Sequence, residues 1–325
     1  MASQAEHVVA IDVGGTTMKG AVFDRQGRTW NETRRPTGTD RGAEAVIESI
    51  LAFAGRLASP SPGPRAVGIA VPGLVRDSDG MVLEATNVGL RDVPLRELAS
   101  RRLSSPVAVL HDVRAAALAE GTLGAARGRS DYLLLTLGTG VGAAVIIGGH
   151  PYTGAHGIGG ELGHVAVDPR GPVCRCGGTG CLEAIASAGA VERRFGHGID
   201  AQAVAHRAAA HEPAATRVWH EALDALALAI VNYATLLDPE VVVIGGGLAN
   251  AGPRLFDPLS DLVRASTRFG KAVPIVPAAL GEEAGCFGAA IAAWRAVGLD
   301  ADWAQAPVHQ ESETRRQEPE TRAAS

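Results

Sequence analysis

The sequence predicts an α/β fold built as two related halves facing one another across a cleft. Three observations carry that expectation. The chain opens with a strand–glycine turn–strand hairpin, in which His7 to Val13 leads through Gly14-Gly15-Thr16 into Met18 to Phe23. The unit returns where Tyr132 to Leu137 leads through Gly138-Thr139-Gly140-Val141-Gly142 into Ala143 to Ile147. A third glycine turn, Gly245-Gly246-Gly247, follows the apolar, β-branched run Val241 to Ile244. An internal echo of this kind marks related structural units, and ligands settle in the concave space between them.

The elements between these turns follow in order. Ala43 to Leu57 carries apolar residues at helical spacing, and Ala66 to Val71 reads as a strand running into Pro72 and Gly73. Pro106 to Leu110 is a further strand, and Val113 to Leu123 an alanine-rich helix. Ala222 to Leu237 is apolar enough for a buried helix, yet Asp224 and Asn232 leave it short of a membrane span. Ala284 to Val297 closes the ordered chain as a helix. A shift between Ala115 and Gly128 divides the halves at residues 1–115 and 116–283, with the helix 284–298 completing the first. Residues 301–325, and His309 to Ser325 above all, are too polar to bury an apolar face and are expected to be disordered.

Composition excludes several function classes. A net charge of −5 gives no electrostatic case for nucleic acid or an anionic membrane. Aromatic residues are 4% of the chain, which argues against stacking platforms for single strands. Met1 to His7 lacks the basic start and apolar stretch of a signal peptide, so a cytoplasmic protein is expected.

Glycines in hairpin turns usually serve backbone geometry alone. The functional alternative begins from two exclusions. No GxxxxGK[ST] P-loop occurs, and Gly14-Gly15-Thr16 leads into a strand where a Rossmann turn leads into a helix. What remains is a hairpin tip offering bare N–H groups and threonine hydroxyls, which are anion ligands. Asp12 ahead of the turn suits Mg²⁺ held through water, and Lys19 behind it suits a phosphate. Two such tips facing each other would clamp a polyphosphate from both sides.

Asp112 stands between a strand and the alanine-rich helix. There it serves either as a helix N-cap or as a general base accepting a hydroxyl proton during phosphoryl transfer. In Gly160 to Glu183, His164 is followed by Cys174, Cys176 and Cys181, a donor set of the closed, structural zinc type. Cys286 lies outside that set. A zinc-fixed loop over 164–181 would make Glu161 and Glu183 rigid acceptors for the hydroxyls of a polyol, although loop glutamates are also often only solvated.

Together these residues resemble the ROK family (repressor, open reading frame, kinase) of sugar kinases, within the actin/hexokinase/Hsp70-like, ribonuclease H-like fold superfamily. DVGGTTMKGA, AVPG, ATN, HDVRAAALAE, LGTGVG, GGELGH, CRCGGTGCLE and VIGGG carry the resemblance, from about Val8 to Val297. It implies an ATP-dependent kinase acting on the 6-hydroxyl of a hexose, with ATP, Mg²⁺ and structural zinc, as a homo-oligomer (dimer or tetramer). It places Asp112 on the catalytic base and Asn87, Glu161, His164 and Glu183 on the sugar pocket. His164, Cys174, Cys176 and Cys181 fall on the zinc ligands. Asp12, Gly14, Gly15, Thr16 and Lys19 fall on the first phosphate turn, Gly138, Thr139 and Gly140 on the second, and Gly245, Gly246 and Gly247 beside adenosine.

The sequence departs from the glucokinase pattern in one stretch. His111 replaces the Asn usual before the catalytic Asp, and Arg114 another frequent Asn. HDVR resembles instead some bacterial N-acetylglucosamine kinases of the family. Glucose is the leading expectation, with N-acetylglucosamine or N-acetylmannosamine as the alternative. A sugar-sensing regulator without DNA binding is the reading from another class, and it would have no use for Asp112.

Overall fold

A computed structural model of the chain describes residues 6–59, 63–196, 198–301 and 303. The opening strand β1 (His7–Val13) is buried almost throughout, with Val8 to Ile11 fully enclosed. It forms an antiparallel meander with β2 (Thr17–Asp24) and β3 (Thr29–Pro36). Helix α1 (Ala43–Ala58) leads to β4 (Val67–Val71), which lies parallel to β1. A small antiparallel sheet follows, made of β5 (Leu74–Arg76), β6 (Met81–Ala85) and β7 (Leu90–Val93). Helix α2 (Leu95–Leu103) returns the chain to β8 (Val107–His111), parallel to β4, and α3 (Asp112–Thr122) leaves from its end.

The second half repeats the plan. β9 (Tyr132–Leu137), β10 (Val141–Ile147) and β11 (His150–Pro151) form a second meander. The cysteine loop and helices α4 (Leu182–Ala186), α5 (Ala188–Phe195), α6 (Ala201–Ala209) and α7 (Pro213–Leu237) follow. β12 (Val241–Gly245) pairs parallel to β9, and α8 (Pro253–Ser266) leads to β13 (Ile275–Pro277), parallel to β12. The two sheets run β3-β2-β1-β4-β8 and β11-β10-β9-β12-β13, so each joins three antiparallel strands to two parallel ones. The expected echo is therefore one of complete sheet topology. Helix α7 begins at Pro213, earlier than its apolar stretch suggested, because proline at the first helical position needs no N–H partner.

Helix α9 (Ala284–Ala296) returns to the first sheet and packs on β1, β4 and α3. Glycine makes that approach feasible: a Cβ on Gly288 would strike the Ala115 carbonyl, and one on Gly68 that of Ala289. Helix α3 is a wedge between the halves. Ala115, Leu118 and Ala119 join the core under α9, while Val113 and Ala117 join the core under β9 and β10. The division expected at 115/116 falls inside this helix. Buried Glu120 locks the crossing by accepting N–H groups from Ala125 at 2.7 Å, Ala279 at 2.9 Å and Leu280 at 2.9 Å.

The tail expected from residue 301 needs correction at its start. Trp303 is buried, stacks on Phe23 at 5.7 Å between centroids and donates from its indole N–H to the Asp24 carbonyl at 3.3 Å. A tryptophan supplies enough apolar area to hold its segment on the core. Residues 304–325 lie outside the described residues. Among the described residues, no helix is long and apolar enough to cross a membrane.

Candidate active site

The first glycine turn is tight and braced. Gly14 N–H donates to the Thr17 carbonyl at 3.1 Å, and the Thr37 hydroxyl donates to the Gly14 carbonyl at 2.6 Å. Gly15 faces the turn Thr86–Val88, where the Asn87 carbonyl lies 3.4 Å from the position a Cβ would take. Asn87 is thus brought to the tip of the first turn. Asp12 points at the start of α9, its Cγ 2.6 Å from where a Gly285 Cβ would sit. Burial, then the neighbouring Asp112 carboxylate, pushes Asp12 up to about 7, against the opposing pull of Lys19.

Lys19 is opposite Asp12 in the β1–β2 register, and its side chain turns to the acidic residues ahead of α9. Its ammonium donates to the Glu282 carboxylate at 2.8 Å and the Glu282 carbonyl at 3.0 Å, with Glu283 at 3.9 Å. The sequence reading missed this acidic turn because its residues lie at the far end of the chain.

Asp112 is the first residue of α3, and His111 holds the N-cap place without a side-chain cap. The cap role weighed for Asp112 is therefore replaced by a local bond in which Val113 N–H donates to Asp112 Oδ1 at 2.7 Å. His111 Nε2 lies 3.0 Å from the same oxygen. Val113 in turn packs against Gly142 of β10, its Cγ2 2.6 Å from the position of a Cβ there. The Asp112 carboxylate thus neighbours Asp12, and the residue after it reaches the second hairpin.

Arg114 is buried and fully committed. It donates to the Val75 carbonyl at 3.0 Å, Asp77 Oδ1 at 2.9 Å, the Gly157 carbonyl at 2.7 Å and the Gly159 carbonyl at 3.4 Å. It ties the small sheet to the loop that leads into Glu161, itself half-buried ahead of the turn Leu162–His164. Asp77 is raised by burial, and Arg114 and His111 work against that rise. Asp77 and the clamp leave no local signal along the chain.

At the second turn, Gly138 N–H donates to the Gly140 carbonyl at 2.9 Å, and Ala188 N–H to the Gly138 carbonyl at 2.8 Å. A Cβ on Gly189, in α5, would stand 2.8 Å from the Thr139 carbonyl. Gly246, with φ 84°, passes so close to Leu137 that a Cβ would lie 2.5 Å from its carbonyl oxygen. Gly245 ends β12 and Gly247 begins the next turn, so Gly245 to Gly247 adjoin the second glycine turn. Glu183 Oε2 accepts the Val141 N–H at 3.0 Å, while Oε1 faces Cys174 Sγ at 3.9 Å.

The donor atoms of His164, Cys174, Cys176 and Cys181 all lie within 4.8 Å of one another. His164 Nδ1 is 3.8 Å from Cys174 Sγ, and Cys176 Sγ is 3.7 Å from Cys181 Sγ. A tetrahedral zinc with Zn–S of about 2.3 Å has ligand edges of about 3.8 Å, so the set fits that ion. Cys286 is buried elsewhere, against the Ala10 carbonyl at 3.7 Å.

Residues 8–296 match the ROK family. The chain is 35% identical over 304 residues to a glucokinase of Thermotoga maritima, covering 87% of this chain and 96% of the relative. It is 34% identical over 248 residues to an N-acetylmannosamine kinase of Escherichia fergusonii, covering 75% and 84%. A solved ROK family glucokinase from Streptomyces griseus, in complex with glucose and AMPPNP, aligns with TM-score 0.74 and 31% identity over 89% of this chain and 99% of that one. The resemblance and the hexokinase-like α/β fold expected from the motifs both hold, and the chain belongs to the ROK family.

Proposed function

We propose that this protein transfers the γ-phosphoryl group of ATP to the 6-hydroxyl of a hexose, with glucose as the first substrate. The observation that carries the reading is Asp112. Its side chain is one-third exposed at the start of α3, beside Asp12 of one glycine turn, and the next residue, Val113, packs against the hairpin of the other. In the reaction, Asp112 takes the hydroxyl proton, the freed oxygen forms its bond to the γ-phosphorus, and the bond to ADP breaks. Asn87, Glu161 and Glu183 hold the sugar side. The two glycine turns hold phosphate through backbone N–H groups, and Gly245 to Gly247 border the adenosine. Glucose and an ATP analogue bound to the Streptomyces griseus relative support both substrates. ATP as donor fits a cytoplasmic enzyme.

Two metals belong to the reading. Mg²⁺ would supply charge neutralisation at the phosphates, and Asp12, a buried carboxylate whose ionisation the neighbouring Asp112 opposes, would hold it. Zinc at His164, Cys174, Cys176 and Cys181 is structural.

An acetamido sugar is the second reading, favoured by His111 and by the N-acetylmannosamine kinase relative. The deciding measurement is kcat/KM with ATP for glucose, N-acetylglucosamine, N-acetylmannosamine, mannose, fructose and allose. Glucose is expected to lead. Preference for an acetamido sugar replaces it, and activity on none removes the kinase reading in favour of a sugar-sensing regulator.

A further inference from the structure

We infer that His111 is a positioning residue for Asp112, its ring N–H and the Val113 amide together holding Oδ1 so that Oδ2 receives the hydroxyl proton. This rests on the kinase reading with Asp112 as base. Two donors converge on one oxygen, from His111 Nε2 at 3.0 Å and Val113 N at 2.7 Å. Among the described residues no group donates to Oδ2, and the side chain keeps one-third of its surface open.

The imidazole is suited to this task by what it lacks. His111 is buried, and its Nδ1 has no hydrogen-bond partner. A proton on Nδ1 would be enclosed without an acceptor, whereas one on Nε2 meets a carboxylate, so the ring carries its proton on Nε2. The backbone holds the ring as well. The His111 backbone also lies near the Asp77 carboxylate, which is itself fixed by Arg114. A β-strand end, a buried arginine and a buried ring thus fix one rotamer of the base before substrate arrives. Such preorganisation acts on kcat, because a wandering carboxylate loses its near-attack position while both substrates still bind.

The test compares His111→Gln with His111→Met. Gln carries an amide N–H where Nε2 stands, and Met fills similar space with no donor. A hydrogen bond to a charged group is worth about 10- to 100-fold. His111→Met is expected to lower kcat by that factor, with KM for sugar and ATP changed less than about threefold, whereas His111→Gln retains most of the rate. Loss of the donor also moves the acid limb of the kcat–pH profile upward by about half a unit to one unit in the Met variant. Asp12, Asp77 and Arg114 face this group in every variant, so the shift is read between variants.

Should the methionine variant not fold, His111→Leu replaces it, since leucine fills part of the same space and carries no donor. Equal kcat in Gln and donor-less variants, or an unmoved acid limb, overturns the inference. Asp112→Asn runs alongside. If it keeps activity, the base assignment itself fails; if it is inactive while His111→Met is normal, only the positioning role fails.

Discussion

The two glycine turns stand on the same sheet topology and do their work differently. The first carries its own charges, Asp12 and Lys19, paired across β1 and β2, and its lysine is balanced by Glu282. The second, Gly138 to Gly142, has no charged side chain and is held from outside by Glu183, which joins the Val141 amide to the cysteine loop. The repeated topology supplies two equivalent scaffolds. The cysteine loop after β11 braces the second turn, where the first relies on Thr37 after β3 and on Glu282 just ahead of α9. On this comparison zinc belongs to the nucleotide side of the cleft as much as to the sugar side.

The largest effect is expected where both turns meet. Asp112→Asn leaves both hairpins intact, so melting temperature and sugar affinity should hold while kcat falls by about 10²–10⁴. A near-normal kcat would mean that the junction of the two turns is not the reaction centre. The comparison would then be one of scaffolds only.

Next comes the brace of the second turn. Cys181→Ser removes a buried zinc ligand, and metal analysis should fall from about one zinc per chain to well below that. Loss of supporting metal contacts commonly costs 10- to 100-fold. The expected outcome is a KM for ATP raised about tenfold, together with a lower melting temperature, because Glu183 no longer holds the Val141 amide. Cys286→Ser should leave zinc unchanged. Zinc loss with an unaltered KM for ATP would break the link between knot and turn.

Much of this was legible in the sequence, for definite physical reasons. β1, β2, β9 and β10 are apolar runs closed by glycine, and the ligand spacing of the cysteine loop is local. β3 was not legible: Thr29–Pro36 is mostly exposed and polar, and it is a strand because β2 offers it a ladder. Helix α3 was read correctly as a helix, but its role as a wedge depends on two sheets distant in sequence. Lys19 and Arg114 show the same limit. Each has the right chemistry for a ligand contact, yet Lys19 is met by Glu282, and Arg114 by Asp77 and two loop carbonyls. Long-range partners decide what a charged side chain does, and spacing along the chain does not record them.

The smallest expected effect concerns the charge that distinguishes the first turn. Asp12 sits near 7 because burial and Asp112 oppose its ionisation. A carboxyl raised in the folded state binds its proton more tightly there than in the unfolded chain. Its contribution to stability is therefore fully present below about pH 4 and lost as pH rises through about 7. Above that range the wild-type protein without ligands holds an unfavourable buried charge, which Asp12→Asn removes. The variant should be more stable than wild type at pH 8 by about 1–3 kcal/mol, a few degrees in melting temperature, with the gap closing toward pH 4. Adding Mg²⁺ and an ATP analogue at pH 8 should reverse the order, because only the carboxylate can use the cation. If Asp12→Asn melts below wild type at pH 8 without ligand, the first turn is not strained by its own charge, and the contrast between the turns lies in the zinc brace alone.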